Sequence, residues 1–360
     1  NDKANAGIIL HAWNWKFKDI QDHIVEIRDA GYSSVQVSPV QKIKSGCSKD
    51  ENGQNTTIHR LGSWWAFYQP VNFEIGNELG SRESFVDMCN VAHENGIKII
   101  VDVVANHMAN KFGEFGKNGL FDRSDEIIQE LRDNKDCWHQ VPGRTAVCDS
   151  YNGIHPDRYN MTQGSFGLPG LNKKNKVVQQ KIISFLEDCI EAGADGFRFD
   201  AAKHIEVPGE TFKGYDFGSD FWPTIVTVIN KKGIEHNKNI YIYGEVLNDN
   251  DIPEDIMQKY LKYMNITDSQ FGNDIRQALV ESKFSHLILN KISTQPKNLV
   301  TWVESHDNYA SFGCGPSFDL NNKQIILGWA IVASRQGASP VYLSRPAEKD
   351  VDIYFINSQN

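Results

Sequence analysis

The sequence predicts an α/β protein built as a (β/α)8 barrel, with an irregular subdomain inserted after the third strand. Three observations carry that expectation. Apolar, largely β-branched runs begin near positions 7, 34, 98, 196, 240, 264, 299 and 340, which gives eight strands. Segments with apolar residues at helical spacing separate most of them, several closed by glycine. Strand and helix alternate in an order that favours parallel pairing through right-handed crossovers. A chain of 360 residues is long enough for one such barrel.

Residues 7–12 form an apolar strand, and Ile20, Ile24, Ile27 and Ala30 then recur as one helix that Gly31 stops. A strand at 34–37 ends in Ser38-Pro39. The next helix, 82–94, carries Phe85, Met88, Cys89 and Ala92 on one side, and a strand at 98–104 follows. The rhythm then breaks. Residues 107–171 are rich in Gly, Asn and Asp, with Pro142, Pro156 and Pro169. A structureless loop of that length is improbable in a compact fold, so 108–171 is expected to be an inserted subdomain, with the barrel formed by 1–107 and 172–360. Alternation resumes with a helix at 177–192 and a strand at 196–199. Helices are expected at 221–232, 252–263, 274–289 and 323–334, with strands at 240–244, 264–267, 299–303 and 340–343. The barrel's last helix is expected to be missing, because a short polar tail follows Leu343.

Composition narrows the function classes. The formal charge is 37 − 46 = −9, which argues against a nucleic-acid partner. The apolar run 97–105 is broken by Lys98 and Asp102, so no membrane span is expected. No basic, apolar leader precedes Asn1-Asp2-Lys3, which fits a cytosolic protein or a processed mature one. Of Cys47, Cys89, Cys137, Cys148, Cys189 and Cys314, Cys89 and Cys189 fall in amphipathic helices and read as buried thiols. Cys137 and Cys148 could close a short disulfide loop. With acceptor patterns at Asn55, Asn160 and Asn265, these lean towards a secreted protein. A monomer is expected.

Chemistry gathers where strands end. The segment Gly196-Phe-Arg-Phe-Asp200 alternates, so Arg198 and Asp200 share the face opposite the phenylalanines. A cation beside Asp200 favours its ionised form, as a carboxylate nucleophile needs; alone, the pair could equally be a buried structural ion pair. Further clusters end the third strand (Asp102 to Asn106-His107), the fifth (Gly244-Glu245) and the seventh (Glu304-Ser-His306-Asp307). In a barrel these ends converge on one mouth, which outweighs the plainer readings of His107 and His306 as structural histidines and Trp64 and Trp65 as core aromatics.

These four segments, in this order, resemble the α-amylase family of glycoside hydrolases, as do His11-Ala-Trp-Asn-Trp15, Trp64-Trp-Ala-Phe-Tyr-Gln-Pro70 and Lys203-His-Ile-Glu206. The likeness covers nearly the whole chain and is strongest to bacterial secreted members. It implies Asp200 as nucleophile, Glu245 as general acid/base with a raised pKa, and Asp307 as a third carboxylate that binds sugar hydroxyls. It implies His107 and His306 as donors to the sugar, Tyr68 stacked beneath it, and Trp64, Trp65 and Gln69 in neighbouring subsites. Arg198 would be the charge partner, Lys203 and His204 would face the leaving group, and Asp102 would be structural. The resemblance also implies a structural Ca2+ held by Asn106, the backbone of His204 and an Asp from the insertion. Gly170 stands where that Asp is expected, which weakens the site unless Asp133, Asp136 or Asp149 compensates. Ser305, where chloride-dependent members carry Asn, argues against a chloride activator. The β-sandwich domain that usually follows the barrel is expected to be absent. The implied activity is retaining endo-hydrolysis of α-1,4 links in starch, glycogen or maltooligosaccharides. An α-glucan transglycosylase, an exo-glucosidase and a catalytically poor glucan-binding scaffold are the alternatives.

Overall fold

The computed structural model describes residues 3–45, 48–49, 55–56, 61–111, 123–139, 158–164, 168–246, 252–284, 295–310 and 316–345. Eight strands close into one parallel barrel. They are β1 (Ile8–Ala12), β2 (Tyr32–Val37), β3 (Lys98–Val103), β4 (Gly196–Phe199), β5 (Tyr241–Gly244), β6 (Asn265–Thr267), β7 (Leu299–Thr301) and β8 (Ser339–Leu343). Neighbours pair in sequence order, and β8 closes on β1 through Ile9↔Val341 and Leu10↔Tyr342. All eight expected strands are present. The barrel architecture is therefore the one that the strand–helix alternation predicts.

The period-2 alternation of each strand separates two apolar layers. Inside the barrel Ile9, Ile100, Tyr241, Tyr243, Val300, Trp302 and Val341 pack as one cluster. Outside, Ile99, Val101, Val103, Phe197 and Phe199 pack with helix residues such as Met88, Phe185 and Trp222. That alternation turns Arg198 inward, in register with Asp102 on β3 and Tyr243 on β5. Gly196 is required where the strands crowd. A Cβ there would lie 2.9 Å from Tyr241 O and 3.3 Å from Ile100 Cγ1.

The outer helices are α1 (Phe17–Asp22), α2 (Ile24–Asp29), α3 (Arg82–Glu94), α4 (Lys176–Ala192), α5 (Phe221–Glu235), α6 (Glu254–Tyr260), α7 (Ser269–Glu281) and α8 (Asn322–Ser334). Asn175 caps α4 by accepting from Val177 N, and Gly193 ends it at φ +125°. Asn321 and Gln324 form a capping box at the start of α8.

Three expectations change. The single helix expected across Ile20 to Ala30 is two, because His23 leaves helical geometry (φ −107°, ψ 12°) and its ring bonds Asp19 O at 2.9 Å. The helix expected at 274–289 starts earlier, at Ser269, where Asp268 caps Phe271 N at 3.2 Å; residues 285–289 lie outside the described residues. A strand at Pro70–Asn77, paired antiparallel with Gln41–Ile43, has no counterpart in the sequence reading, although Val71, Phe73 and Ile75 alternate as a strand should.

Between β3 and α4 the chain is described at 123–139, 158–164 and 168–171. It includes the short helices Gln129–Arg132 and Arg158–Gln163 and the bridges His107↔Gly170 and Trp138↔Leu171. Cys89, Cys137 and Cys189 are buried free thiols; the suggested Cys137–Cys148 clip needs Cys148, which lies outside the described residues, as do Cys47 and Cys314. Asn265, on β6, donates from its amide nitrogen to Tyr241 Oη and Lys297 O, at 3.3 and 3.1 Å. Among the described residues no helix is long and apolar enough to cross a membrane.

Candidate active site

Arg198 is the hub of the barrel mouth. Its Nη1 donates to Asp102 Oδ1 and to Asp200 Oδ1, each at 2.9 Å, and its Nη2 lies 3.2 Å from Glu245 Oε2. Asp102 is fully buried and also accepts from Tyr68 Oη at 2.8 Å, so it anchors both Arg198 and Tyr68. Immediately after Asp200, Ala201 takes a left-handed conformation (φ 47°), and its N–H donates to Glu245 Oε2 at 2.9 Å. A non-glycine residue in that conformation is strained. Here the strained turn aims a backbone donor at a neighbouring strand's carboxylate. The Lys203 N–H donates to Glu245 O at 3.1 Å, so the loop after β4 is laced to the end of β5.

His306 and Asp307 begin the short helix His306–Ala310 after β7. The His306 ring stacks on Tyr68 at 5.2 Å between centroids and 10° between planes, and meets Trp64 edge-on at 5.0 Å and His11 edge-on at 5.5 Å. Trp64 is half-buried, and Trp65 is 37% exposed. Gln69 and Lys203 are buried. A cavity of about 140 Å³ is lined by Arg198, Glu245, His306 and Asp307, together with His11 and Trp302.

Electrostatics reverse one expectation. The sequence reading has Asp200 held ionised by Arg198 and Glu245 raised. Burial pushes Asp200 well above its ordinary value, and the charges of Glu245, Asp102 and Asp307 add to that against Arg198. Glu245 is held below its ordinary value despite burial, because Arg198 and the Ala201 N–H both favour its charged form. Asp307 is raised to about 7 by burial and then by Glu245, although 43% of its side chain opens to solvent, which screens part of that rise. Burial lowers His107 and His306 to about 4 and His204 to about 3, so all three rings are neutral at pH 7. Neutral His107 donates from Nε2 to Tyr68 O at 3.0 Å, and a hydrogen bond from that nitrogen to a sugar would compete with this one. His204 Nδ1 is paired with Met161 O at 3.0 Å.

One support, the pair of Arg345 with Glu304, escaped the sequence reading. Arg345 makes a bidentate pair with Glu304 at 2.6 and 2.8 Å and also donates to Leu320 O, tying the end of β7 to the chain after β8. Trp13 is fully buried against His306 and Tyr309. Arg345 and Glu304 share no local motif, whereas Trp13 stands in the segment His11-Ala-Trp-Asn-Trp15.

The residues expected to hold Ca2+ do not suit it. Asn106 Oδ1 accepts from the Lys173 ammonium at 2.9 Å, and Gly170 supplies no carboxylate. Of the substitutes, Asp133 is exposed and paired with Arg132, Asp136 is exposed, and Asp149 lies outside the described residues. Among the described residues no group of three His, Cys, Asp or Glu side chains is placed to hold a metal.

The family model described as alpha amylase, catalytic domain, matches residues 16–312. The chain belongs to the α-amylase family of glycoside hydrolases. It is 36% identical to an α-amylase of Clostridium acetobutylicum over 99% of its own length, and 34% identical to one of Butyrivibrio fibrisolvens over 96%. It spans 43% and 35% of those two relatives, less than half of each. Among solved structures, an Eisenia fetida α-amylase I complexed with maltohexaose superposes with a TM-score of 0.70 at 19% identity, covering 96% of this chain and 69% of that one. At that identity the likeness concerns the family's barrel fold.

Proposed function

We propose that the chain hydrolyses internal α-1,4-glucosidic bonds of starch, glycogen or maltooligosaccharides with retention of anomeric configuration. One observation carries the reading: Asp200 and Glu245 are gripped by the two terminal nitrogens of a single guanidinium, at 2.9 and 3.2 Å. That clamp keeps two carboxyls close, as a retaining pair separated by about 5 Å requires. Family membership and the named relatives support the substrate class.

In the proposed reaction Asp200 attacks the anomeric carbon while Glu245 protonates the departing glycosidic oxygen, forming a glycosyl ester on Asp200. Glu245 then takes a proton from water, and that water opens the ester. Asp307 would hold sugar hydroxyls and favour the distorted ring. Trp64 and Trp65 would offer apolar faces to neighbouring glucose units.

The unliganded electrostatics add a requirement. Asp200 and Asp307 are the raised carboxyls and Glu245 the lowered one in the unliganded site, so the acid form of Glu245 requires a proton gained as substrate binds. Substrate hydroxyls that bond Asp307 and displace water would shift the proton balance among these carboxyls.

The test is Asp200→Asn with a reducing-end-blocked maltoheptaose. Wild type should release internal fragments, and the variant should bind the sugar without turning it over. Release of single glucose units, or of longer transfer products, by the wild type would replace endo-hydrolysis by exo-action or transglycosylation. Binding without any new reducing ends from the wild type would leave a glucan-binding scaffold.

A further inference from the structure

We infer that the ammonium of Lys173 is a built-in cation at the junction between the end of β3 and the segment leading into α4, and that this junction needs no divalent metal. Lys173 is fully buried. Its Nζ donates to Asn106 Oδ1 at 2.9 Å and lies 3.4 Å from Asn106 O. The backbone holds it there: Leu171 N–H donates to the same Asn106 O at 2.9 Å, and Gln179 Nε2 donates to Lys173 O at 2.8 Å.

A buried ammonium persists only with compensating charge and acceptors. Glu206 is also fully buried and is an acidic side chain on which Lys173 acts electrostatically. Gln163 Nε2 lies 3.5 Å from the same carboxylate. His139 Nε2 lies 4.0 Å from the same carboxylate.

Calcium takes six to eight oxygens and prefers several anionic ones. The side-chain oxygen it would take from Asn106 already accepts from a fixed positive charge, which repels a divalent ion at that range. A Cβ at Gly170 would meet Gly164 O at 3.4 Å and His139 Cδ2 at 3.5 Å, so the place of the expected carboxylate faces a peptide oxygen and an imidazole ring. A second cation braces the same junction. Arg158 grips Glu210 through two nitrogens, at 2.7 and 2.9 Å, and donates to Lys203 O, the peptide oxygen just before His204. Lys173 and Arg158 thus do with fixed side chains what a divalent ion does by bridging oxygens.

The experiment measures calcium content and melting temperature of the chain equilibrated with calcium and then either desalted or treated with chelator. The expected result is no retained calcium and the same Tm with calcium and with chelator. Lys173→Met should lower Tm by several degrees in both conditions. Lys173→Met combined with Gly170→Asp should make Tm rise with added calcium. Stoichiometric calcium in the wild type, with Tm falling in chelator, would overturn the inference, as would an unchanged Tm in Lys173→Met. Should the variants fail to fold, the wild-type comparison decides alone.

Discussion

Replacing Arg198 by Met tests the hub directly. The guanidinium touches Asp102 and Asp200 at 2.9 Å and Glu245 at 3.2 Å, and it is buried. At an effective dielectric of about 20, each contact is worth roughly 5 kcal/mol of attraction to the charged carboxylate. Arg198 is the charge that lowers both carboxyls, so without it Asp200 and Glu245 both shift further towards their protonated forms. A protonated Asp200 is no nucleophile, and the expected loss in kcat is about a thousandfold or more. Asp102, wholly buried, loses its cation too, and breaking such a pair costs about 3–5 kcal/mol, so stability should fall alongside activity. The assay is kcat and KM on a maltooligosaccharide from pH 5 to 9, with Tm measured in parallel to correct for the folded fraction. Arg198→Lys separates charge from geometry. It keeps one positive charge, but a compact ammonium lacks the fork that serves three carboxylates, so an intermediate loss is expected. The reasoning is refuted if folded Arg198→Met keeps kcat within about tenfold of wild type with an unmoved pH optimum.

Two further expectations rest on single residues. His306, lowered to about 4 by burial and by Arg198, is neutral when folded and binds a proton near pH 6.5 when unfolded; the unfolded state therefore gains protons between those values, and the wild type loses stability relative to His306→Gln as pH falls from about 6.5 to 4, by up to about 3 kcal/mol. Urea titrations of both proteins at several pH values check this, and a pH-independent difference would sink it. Gly196→Ala would set a Cβ 2.9 Å from Tyr241 O and 3.2 Å from Tyr241 Cβ; the overpacked β4–β5 contact should cost about 1–3 kcal/mol, and a urea midpoint equal to wild type would contradict it.

The barrel was legible because its strands carry both layers in their own pattern. Phe197 and Phe199 face the helices and Arg198 the mouth, and period-2 alternation announces as much without any partner being known. The carboxylates were legible for the same reason: Asp102, Asp200, Glu245 and Asp307 stand at or just beyond strand ends. What was hidden depends on partners far apart in sequence or on backbone direction. The break at His23 hangs on a ring nitrogen reaching Asp19 O, and the lowered Glu245 hangs partly on the Ala201 N–H, which no side-chain pattern encodes.

Lys173 and Lys174 are adjacent in an Asn-Lys-Lys-Asn run, yet one is buried and the other exposed. Nothing local separates them; the difference is Asn106, at the end of β3, and the buried acidic side chain of Glu206. Arg198 and Lys173 answer the same physical problem at two places. Each is a buried cation that lets acidic and carbonyl oxygens crowd together without water. At the mouth the carboxylates outnumber the cation: Asp102, Asp200, Glu245 and Asp307 all act on it or on one another. At the junction one ammonium bonds an amide oxygen, with Glu206 as a buried acidic side chain that it influences. The first arrangement is suited to chemistry and the second to holding two parts of a chain together, which is why removing Arg198 should move a pH profile and removing Lys173 should move a melting temperature.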